Sequence, residues 1–410
     1  MGRSAQRPWS KPWAVAELFA GVGSVAEGFR RGAGFDVAYL NDVDPAARDT
    51  YQENYGKDVP YDLIDVQGVT ADRIREKVDG KPIAGLLGCP PCQGWSTAGP
   101  RREGDVRNAL LGDFFRLITD LRPMFFVMEN VPAVSDRVEL SRALQELSPH
   151  YRTWVGVLNA ASFGLPQSRQ RTLVIGYDVR TGVQPLPPAP THAGVRRVWD
   201  YRSEQLVKPS ADTIDTILGA APRLGSTVSS AYSMAAHYRG GVEPLKNFVT
   251  VGEALRDLDP ESGQKPSDYV RGLGGGWLPP ENHRPWGHGP DLVARLSKVA
   301  EGGRPSSDVT AGKRYYSQAY ARLHRRGLAR TITTNFHNPG SGRFLHYSQP
   351  RSLTVREAAR LQGFRDDFRF IHHPSWQERL VGNAFPPLWA EVIARHVGQQ
   401  LGESLALSDF

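Results

Sequence analysis

The chain has 410 residues, with 50 Lys+Arg against 43 Asp+Glu, a formal net charge of +7 and only two cysteines. That length calls for two or more domains, or one large α/β domain with an insertion, and two cysteines exclude a disulfide framework and point to a reducing cytoplasm. The opening MGRSAQRPWSKPW lacks the apolar run of a secretory signal, Gln6 breaks the myristoylation pattern, and no run reaches the ~18 apolar residues of a membrane span.

In chain order, WAVAELFA (13–20) reads as a strand, SVAEGFRRGAG (24–34) as a helix ending on glycine, and DVAYLND (36–42) as a second strand. ARDTYQENYG (47–56) is a helix, IAGLLGCP (83–90) a strand, NALLGDFFRLITDLRP (108–123) a long amphipathic helix, and MFFVMEN (124–130) a buried strand. The helix VELSRALQELSPHY (138–151) precedes the strands RTWVGVLNA (152–160) and RTLVIGYDV (171–179). Strands alternating with helices predict a doubly wound parallel sheet, and two final strands close together predict an antiparallel hairpin at one edge. From QPLPPAPTHAG (184–194) onward Pro and Gly clusters replace this rhythm, as expected of a separate, loop-rich domain. Helical periodicity returns in TVREAARLQGF (354–364) and in SWQERLVGNAFPPLWAEVIARHVGQQLGESL (375–405).

Charge is unevenly placed. Residues 190–330 hold 20 Lys+Arg against 14 Asp+Glu, so most of the excess lies in the loop-rich segment. Its densest part, AGKRYYSQAYARLHRRGLAR (311–330), carries six basic residues, three tyrosines and no acid, among them Lys313, Arg314, Arg325 and Arg326. A solvated helical face is one reading. The other is a polyanion contact, with guanidinium and aromatic groups near phosphates and bases.

Four short motifs carry chemistry. ELFAGVGSVAEGF (17–29) follows a strand and opens a helix, with Gly21, Gly23 and Ala26 at fingerprint spacing and Asp42 and Asp44 placed to hold a ribose. NAD, FAD and S-adenosylmethionine (AdoMet) sites all fit that pattern. Cys89 and Cys92 fall just after a strand, where open sheets place their chemistry, and one C-x-x-C has no second ligand pair for structural zinc. The following QGWSTAG is a loop and not the helix that a dithiol redox motif opens, so Cys92 reads as an exposed nucleophile and Cys89 as a packed thiol. Glu129 ends the strand FFVMEN as a candidate acid or base. Arg169 and Arg171 in PQSRQRTLVIG (166–176) are spaced to share one face at a strand's entry.

Taken in order, FAGVG, NDVD, PPCQGWS, MENV, QSRQR, TVREAARLQGF and GNAFPP resemble the cytosine-C5 DNA methyltransferases. The resemblance covers residues 14–178 and 330–400 and leaves 185–330 as the family's variable target-recognition segment. It implies a Rossmann-like AdoMet-binding core (14–184), a second, smaller recognition domain (185–330) and a C-terminal segment (331–405) returning to the core. Cys92, Glu129, Arg169 and Arg171 are the implied catalytic set. Phe19, Gly21, Val22, Gly23, Asp42, Val43, Asp62, Leu63, Pro91, Leu110, Asn383 and Ala384 are the implied cofactor contacts. Gln93, Ser96, Arg101, Arg102 and Arg107 join the basic residues of the recognition segment as implied DNA contacts. The pattern departs from the family at Asp42, where Glu is usual, at Val43, where an aromatic often stacks on adenine, and at Ala384, where Ser often follows the Asn.

The implied chemistry needs no metal. Cytosine C5 is a poor nucleophile, and a thiolate adding to C6 makes it enamine-like. A free thiol with a pKa near ~8.5 is little ionised at neutral pH, so a neighbouring guanidinium such as Arg171 would favour the thiolate. A carboxyl at N3 would suit Glu129, and Arg171 would hold the cytosine O2. The partners implied are duplex DNA, with the target base flipped out, and a cognate restriction endonuclease; a stand-alone, monomeric, nucleoid-associated prokaryotic modification enzyme is expected. An RNA cytosine-C5 methyltransferase of the same fold, a catalytically silent DNA-binding regulator and a NAD-dependent oxidoreductase are the rivals.

Overall fold

The computed structural model describes residues 12–91, 109–193, 197–208, 245–258, 263–274, 281–310 and 318–407. Contacts divide them into two compact units, one of Met1–Leu158, Arg171–Pro188 and Ala390–Phe410, the other of Asn159–Gln170 and Ala189–Trp389.

In the first unit the short apolar runs become strands because helices cover both faces of the sheet they form. These are β1 (Ala14–Leu18), β2 (Asp36–Asn41), β3 (Tyr61–Asp62), β4 (Ile83–Gly88), β5 (Phe125–Asn130) and β6 (Tyr151–Asn159), and, after the two-residue β7 (Gln167–Ser168), β8 (Gln170–Asp178). Seven of them make one sheet in the order β3-β2-β1-β4-β5-β8-β6. β1 lies parallel to β2 and β4, β2 to β3, and β4 to β5, whereas β8 runs antiparallel to β5. The expected reversal near the edge is present, but β8 is inserted between β5 and β6 and so lies one strand in from the edge.

Five helices join these strands: α1 (Ser24–Ala33), α2 (Pro45–Tyr55), α3 (Ala71–Lys77), α4 (Ala109–Leu121) and α5 (Val138–Leu147). α4 buries Leu111, Phe114, Phe115, Leu117 and Ile118, and the rings of Phe114 and Phe115 meet Phe126 of β5 edge-on. Full burial of each such aromatic contributes roughly 1.5–3 kcal/mol. The helix stops at Leu121, two residues before Pro123, since a proline disfavours helical backbone in its predecessor. The final helix, Pro387–Leu407, runs into this unit, where Glu391 pairs with Arg31 at 3.0 Å and Tyr177 donates to Gln400 at 2.9 Å.

The second unit is built of short pieces. β9 (Val198–Asp200) and β10 (Gln205–Val207) form an antiparallel pair, and β11 (Ala329–Arg330) pairs in parallel with β7. Helix Val355–Leu361 opens with a capping box in which Thr354 and Glu357 satisfy each other's backbone N–H, and helix Pro374–Asn383 starts with proline in its first turn. Trp389 stacks on Phe163 and Phe385 in its core. Among the described residues no helix is long and apolar enough to cross a membrane.

Candidate active site

In the sheet ladder Leu18 of β1 stands beside Asn41 of β2 and Gly88 of β4, and Gly88 beside Met128 of β5. The turns after these four strands therefore leave one sheet edge together. Strand order reverses between β1 and β4, the place where open α/β sheets bind ligands.

The turn after β1 is held in a left-handed path, with φ of +55° at Phe19, +52° at Gly21 and +72° at Gly23. A side chain at Gly23 would also strike the Tyr51 ring at 2.5 Å, so both conformation and space demand glycine. At Gly21 an added Cβ would meet nothing within 4 Å, which leaves that face of the turn open. Asp42 links the turn to β2: its carboxylate accepts N–H from Gly21 at 2.8 Å and from Asp44 at 3.0 Å. Burial pushes its pKa up, against the lowering effect of those donors. The neighbouring Val43 is 64% exposed, an apolar side chain left in solvent beside the turn. Tyr61 donates its hydroxyl to the Gly21 carbonyl at 2.6 Å.

The other implied cofactor contacts differ in what they do. Phe19 and Leu110 are half-buried against the core, Val22 is buried, and Leu63 and Pro91 are half-buried. Asp62 is engaged by Arg73 at 2.5 and 2.8 Å and by the Tyr39 hydroxyl at 3.0 Å, and the Arg73 bonds hold its carboxyl below the usual range. Asp44 caps α2 by accepting the Ala46 N–H. Two residues outside the predicted set matter here. Asn41 ties β2 to the carbonyls of Asp62 and Ile64, at 3.0 and 2.8 Å. Glu17, fully buried in β1, accepts the Ala26 N–H of α1 at 2.8 Å, and burial raises its pKa well above the carboxylate norm.

β4 ends at Gly88, and half-buried Cys89 and Pro91 flank Pro90. Cys92, Gln93, Ser96, Arg101, Arg102 and Arg107 lie outside the described residues, as do Lys313 and Arg314. The start of the cysteine loop is nonetheless fixed: buried Asn130, at the end of β5, donates to the Pro90 carbonyl at 3.0 Å and accepts the Val131 N–H at 2.8 Å. Asn130 is not among the expected site residues; a strand-end amide facing a proline-rich loop is the signal that points to it. Next to it, Glu129 forms an ion pair with Arg171, Oε1 to Nε at 2.5 Å, both side chains largely buried. Antiparallel register makes this possible, because Glu129 at the end of β5 faces Leu173 near the start of β8.

Arg169 has other partners. It lies in the second unit, buried, and donates from Nη2 to the Ala384 carbonyl at 3.3 Å. The same carbonyl accepts Gln362 Nε2 at 2.7 Å, and Gln167 donates to Gln362 Oε1 at 2.7 Å and to the Leu361 carbonyl at 3.0 Å. The motifs QSRQR, RLQGF and GNAFPP are thereby joined by two glutamine side chains, with Asn383 exposed beside them. Arg325 and Arg326 are exposed at a turn of the same unit.

Comparison with known proteins supplies the family. A model described as C-5 cytosine-specific DNA methylase matches residues 13–399. The chain is 29% identical to the Type II methyltransferase M1.HphI of Haemophilus parahaemolyticus, over 93% of this chain and 85% of that protein. It is 30% identical to the Type II methyltransferase M.XorII of Xanthomonas oryzae pv. oryzae, over 95% and 84%. Its fold matches that of a prophage-encoded E. coli protein named as a DNA modification methyltransferase, with a TM-score of 0.62, 24% identity and coverage of 95% and 99%. With the match spanning nearly its whole length, the chain belongs to the C-5 cytosine-specific DNA methylase family and is an enzyme of the DNA (cytosine-5)-methyltransferase type.

Proposed function

We propose that the enzyme moves a methyl group from AdoMet to C5 of a cytosine flipped out of a specific duplex DNA sequence, by way of a covalent bond between Cys92 and C6. The observation that carries this reading is the Glu129–Arg171 pair at the strand edge from which the Asn130-anchored cysteine loop departs.

The donors around the glycine turn fit AdoMet and not a dinucleotide. A pyrophosphate needs the free N–H groups at a helix N-terminus. Here Glu17 takes the Ala26 N–H and Asp42 takes that of Gly21, so two of the donors a pyrophosphate would need are already used. A sulfonium cation meets no such conflict. When bound, AdoMet supplies an electrophilic methyl group. Asp42 would accept from the ribose through its remaining lone pairs, and Val43 and Phe19 would flank the adenine. Gly21, Val22, Gly23, Asp62, Leu63, Pro91, Leu110, Asn383 and Ala384 complete the proposed binding set, several of them through backbone or packing.

The protein's part in the reaction follows from the residues. The Cys92 thiolate adds to C6, and the ring electrons shift toward N3, where Glu129 offers its carboxyl. Arg171 holds Glu129 in place and holds the cytosine O2, while Arg169 secures the Ala384 backbone. Once C5 carries the methyl group, its proton is lost to water, the C5=C6 double bond re-forms and the C6–S bond breaks to return the Cys92 thiolate. The loop carrying Gln93, Ser96, Arg101, Arg102 and Arg107 would grip the DNA, and Lys313, Arg314, Arg325 and Arg326 would contribute from the 185–330 segment, to which we assign sequence specificity. Residues 14–184 and 331–405 would form the catalytic body. A restriction endonuclease acting on the same site, a monomeric enzyme and a place at the nucleoid belong to the same reading.

The test is bisulfite sequencing of DNA incubated with AdoMet and either the wild-type protein or Cys92→Ser. 5-Methylcytosine at one fixed sequence with wild type alone is expected. Methyl label entering RNA but not duplex DNA would overturn it in favour of the RNA-acting rival.

A further inference from the structure

The turn His324–Gly327 in the second unit has its main chain bound on several sides. Gly327 and Arg325 accept the N–H groups of Val251 and Gly252 at 2.9 and 2.8 Å, at the start of helix Val251–Leu255. Arg326 accepts the Trp199 N–H at 2.8 Å, and His324 takes the Arg326 N–H on its ring nitrogen at 3.0 Å. The His324 N–H donates to the Tyr201 hydroxyl at 3.0 Å, and its ring lies flat on Trp199, centroids 4.1 Å apart. Backbone groups are thus used inward, and two arginine side chains are left at the surface.

Those two arginines are not equivalent. Glu301 accepts both the backbone N–H of Arg325, at 2.7 Å, and its Nε, at 2.9 and 3.1 Å. The Arg325 guanidinium also lies 5.5 Å from the centre of the Tyr347 ring. Its charge is balanced before any ligand arrives. Arg326 is exposed one residue later, and among the described residues no acid pairs with it.

We propose that Arg326 is the phosphate-contacting residue of this turn, that Arg325 is a positioning residue, and that Glu301 limits the enzyme's grip on DNA of any sequence. The inference rests on the DNA reading above. An anion approaching Arg325 meets the Glu301 carboxylate within hydrogen-bonding distance of the same guanidinium, so the pair releases little counterion. Arg326 releases its full share, held on a turn that need not be ordered on binding. A weak grip on random sequence benefits an enzyme that must leave non-target sites, because selectivity is the ratio of specific to non-specific affinity.

The experiment is the salt dependence of binding to a short duplex of mixed sequence, measured by fluorescence anisotropy on the full chain. Arg326→Ala is expected to reduce the log–log slope by about 0.9, the contribution of one phosphate contact. Arg325→Ala is expected to change it by less than half as much. Glu301→Gln keeps an oxygen acceptor for the Arg325 N–H, preserves the turn, and should raise the slope by up to about 0.9 and tighten mixed-sequence binding. Glu301→Gln combined with Arg325→Ala should return to the wild-type slope. Equal losses for the two arginine variants, or no gain with Glu301→Gln, would overturn the assignment. Salt-insensitive or absent binding by the wild-type chain would instead overturn the DNA reading itself.

Discussion

The carboxyl group of Glu17 accepts the main-chain N–H of Ala26 at 2.8 Å, so a strand residue buried beneath the glycine turn caps the helix that follows it. Burial raises the Glu17 pKa, with the backbone donors of Ala26 and Val25 acting against it. The folded state then holds this proton to higher pH than the unfolded chain does. Stability is therefore lost as pH rises from the unfolded value of ~4.3 through the raised folded one. Glu17→Gln keeps an acceptor and removes the titration. Urea midpoints of the wild type should fall relative to those of the variant as pH rises above the ordinary carboxylate range. Parallel curves would mean that Glu17 does not carry this linkage.

Asp42→Ala should weaken AdoMet binding by roughly 1.5–3 kcal/mol, the range for hydrogen bonds to a charged group. It removes the acceptor of the Gly21 and Asp44 N–H groups along with any ribose contact. Asp42→Asn retains one acceptor and should fall between. Calorimetric titrations with AdoMet and with NAD decide the point: unchanged AdoMet affinity in the alanine variant, or tight NAD binding by wild type, would sink the cofactor reading.

Cys92→Ser should abolish methylation while leaving AdoMet binding intact, because a hydroxyl is far less ionised than a thiol. Cys89→Ser should act mainly on stability. Asn130→Ala removes the bond to the Pro90 carbonyl and frees the start of the cysteine loop. Misplacing a nucleophile by about 1 Å can cost ~100-fold, so kcat should fall by up to that factor with the KM for AdoMet unchanged. Equal loss of activity in Cys89→Ser and Cys92→Ser would revive a dithiol role for the pair.

Glu357 is a buried carboxylate of the second unit, forked by Arg351 at 2.7 and 2.8 Å, with His346 at 3.6 Å. Burial opposes its ionisation, but the His346 charge and the Arg351 bonds bring its pKa down to about 2. A lowered carboxylate pKa gives stability that is present above the unfolded value of ~4.3 and is lost as pH falls toward about 2. Arg351→Ala leaves that buried charge poorly matched and should cost ~3–5 kcal/mol. Near-UV circular dichroism during acid titration should show the variant unfolding at higher pH than wild type; coincident curves would refute the linkage.

Much of the first unit is legible in the sequence because its signals are local. Apolar runs of strand length, a glycine-closed α1 and the chain punctuation at Pro123 depend on near neighbours. The edge position of Glu129 followed from the same reasoning. What was not legible depends on partners far along the chain. Arg169 and Arg171 look alike at a spacing of two, yet one ends on the Ala384 carbonyl and the other on Glu129. Asp62 carries the signal of a ligand residue, and nothing in that signal shows that its carboxylate is also held by Arg73. No local pattern foretells that Gln167 and Gln362, 195 residues apart, share a hydrogen bond.

The reversed direction of β8 also sets how the molecule tolerates changes in length. A site carried on loops accepts an added residue by bulging, whereas Arg171 reaches Glu129 through a strand whose register with β5 runs without a break from Phe125–Tyr177 to Asn130–Thr172. Side chains alternate between faces and β8 is buried throughout from Thr172 to Asp178, so one residue gained or lost after Arg171 exchanges the side chains packed on its two faces and carries Arg171 away from Glu129. Insertions and deletions in this stretch therefore strike packing and pairing together, unlike those in the loop-rich second unit, and even a two-residue change, which restores the faces, moves Arg171 roughly 7 Å along the strand from its partner.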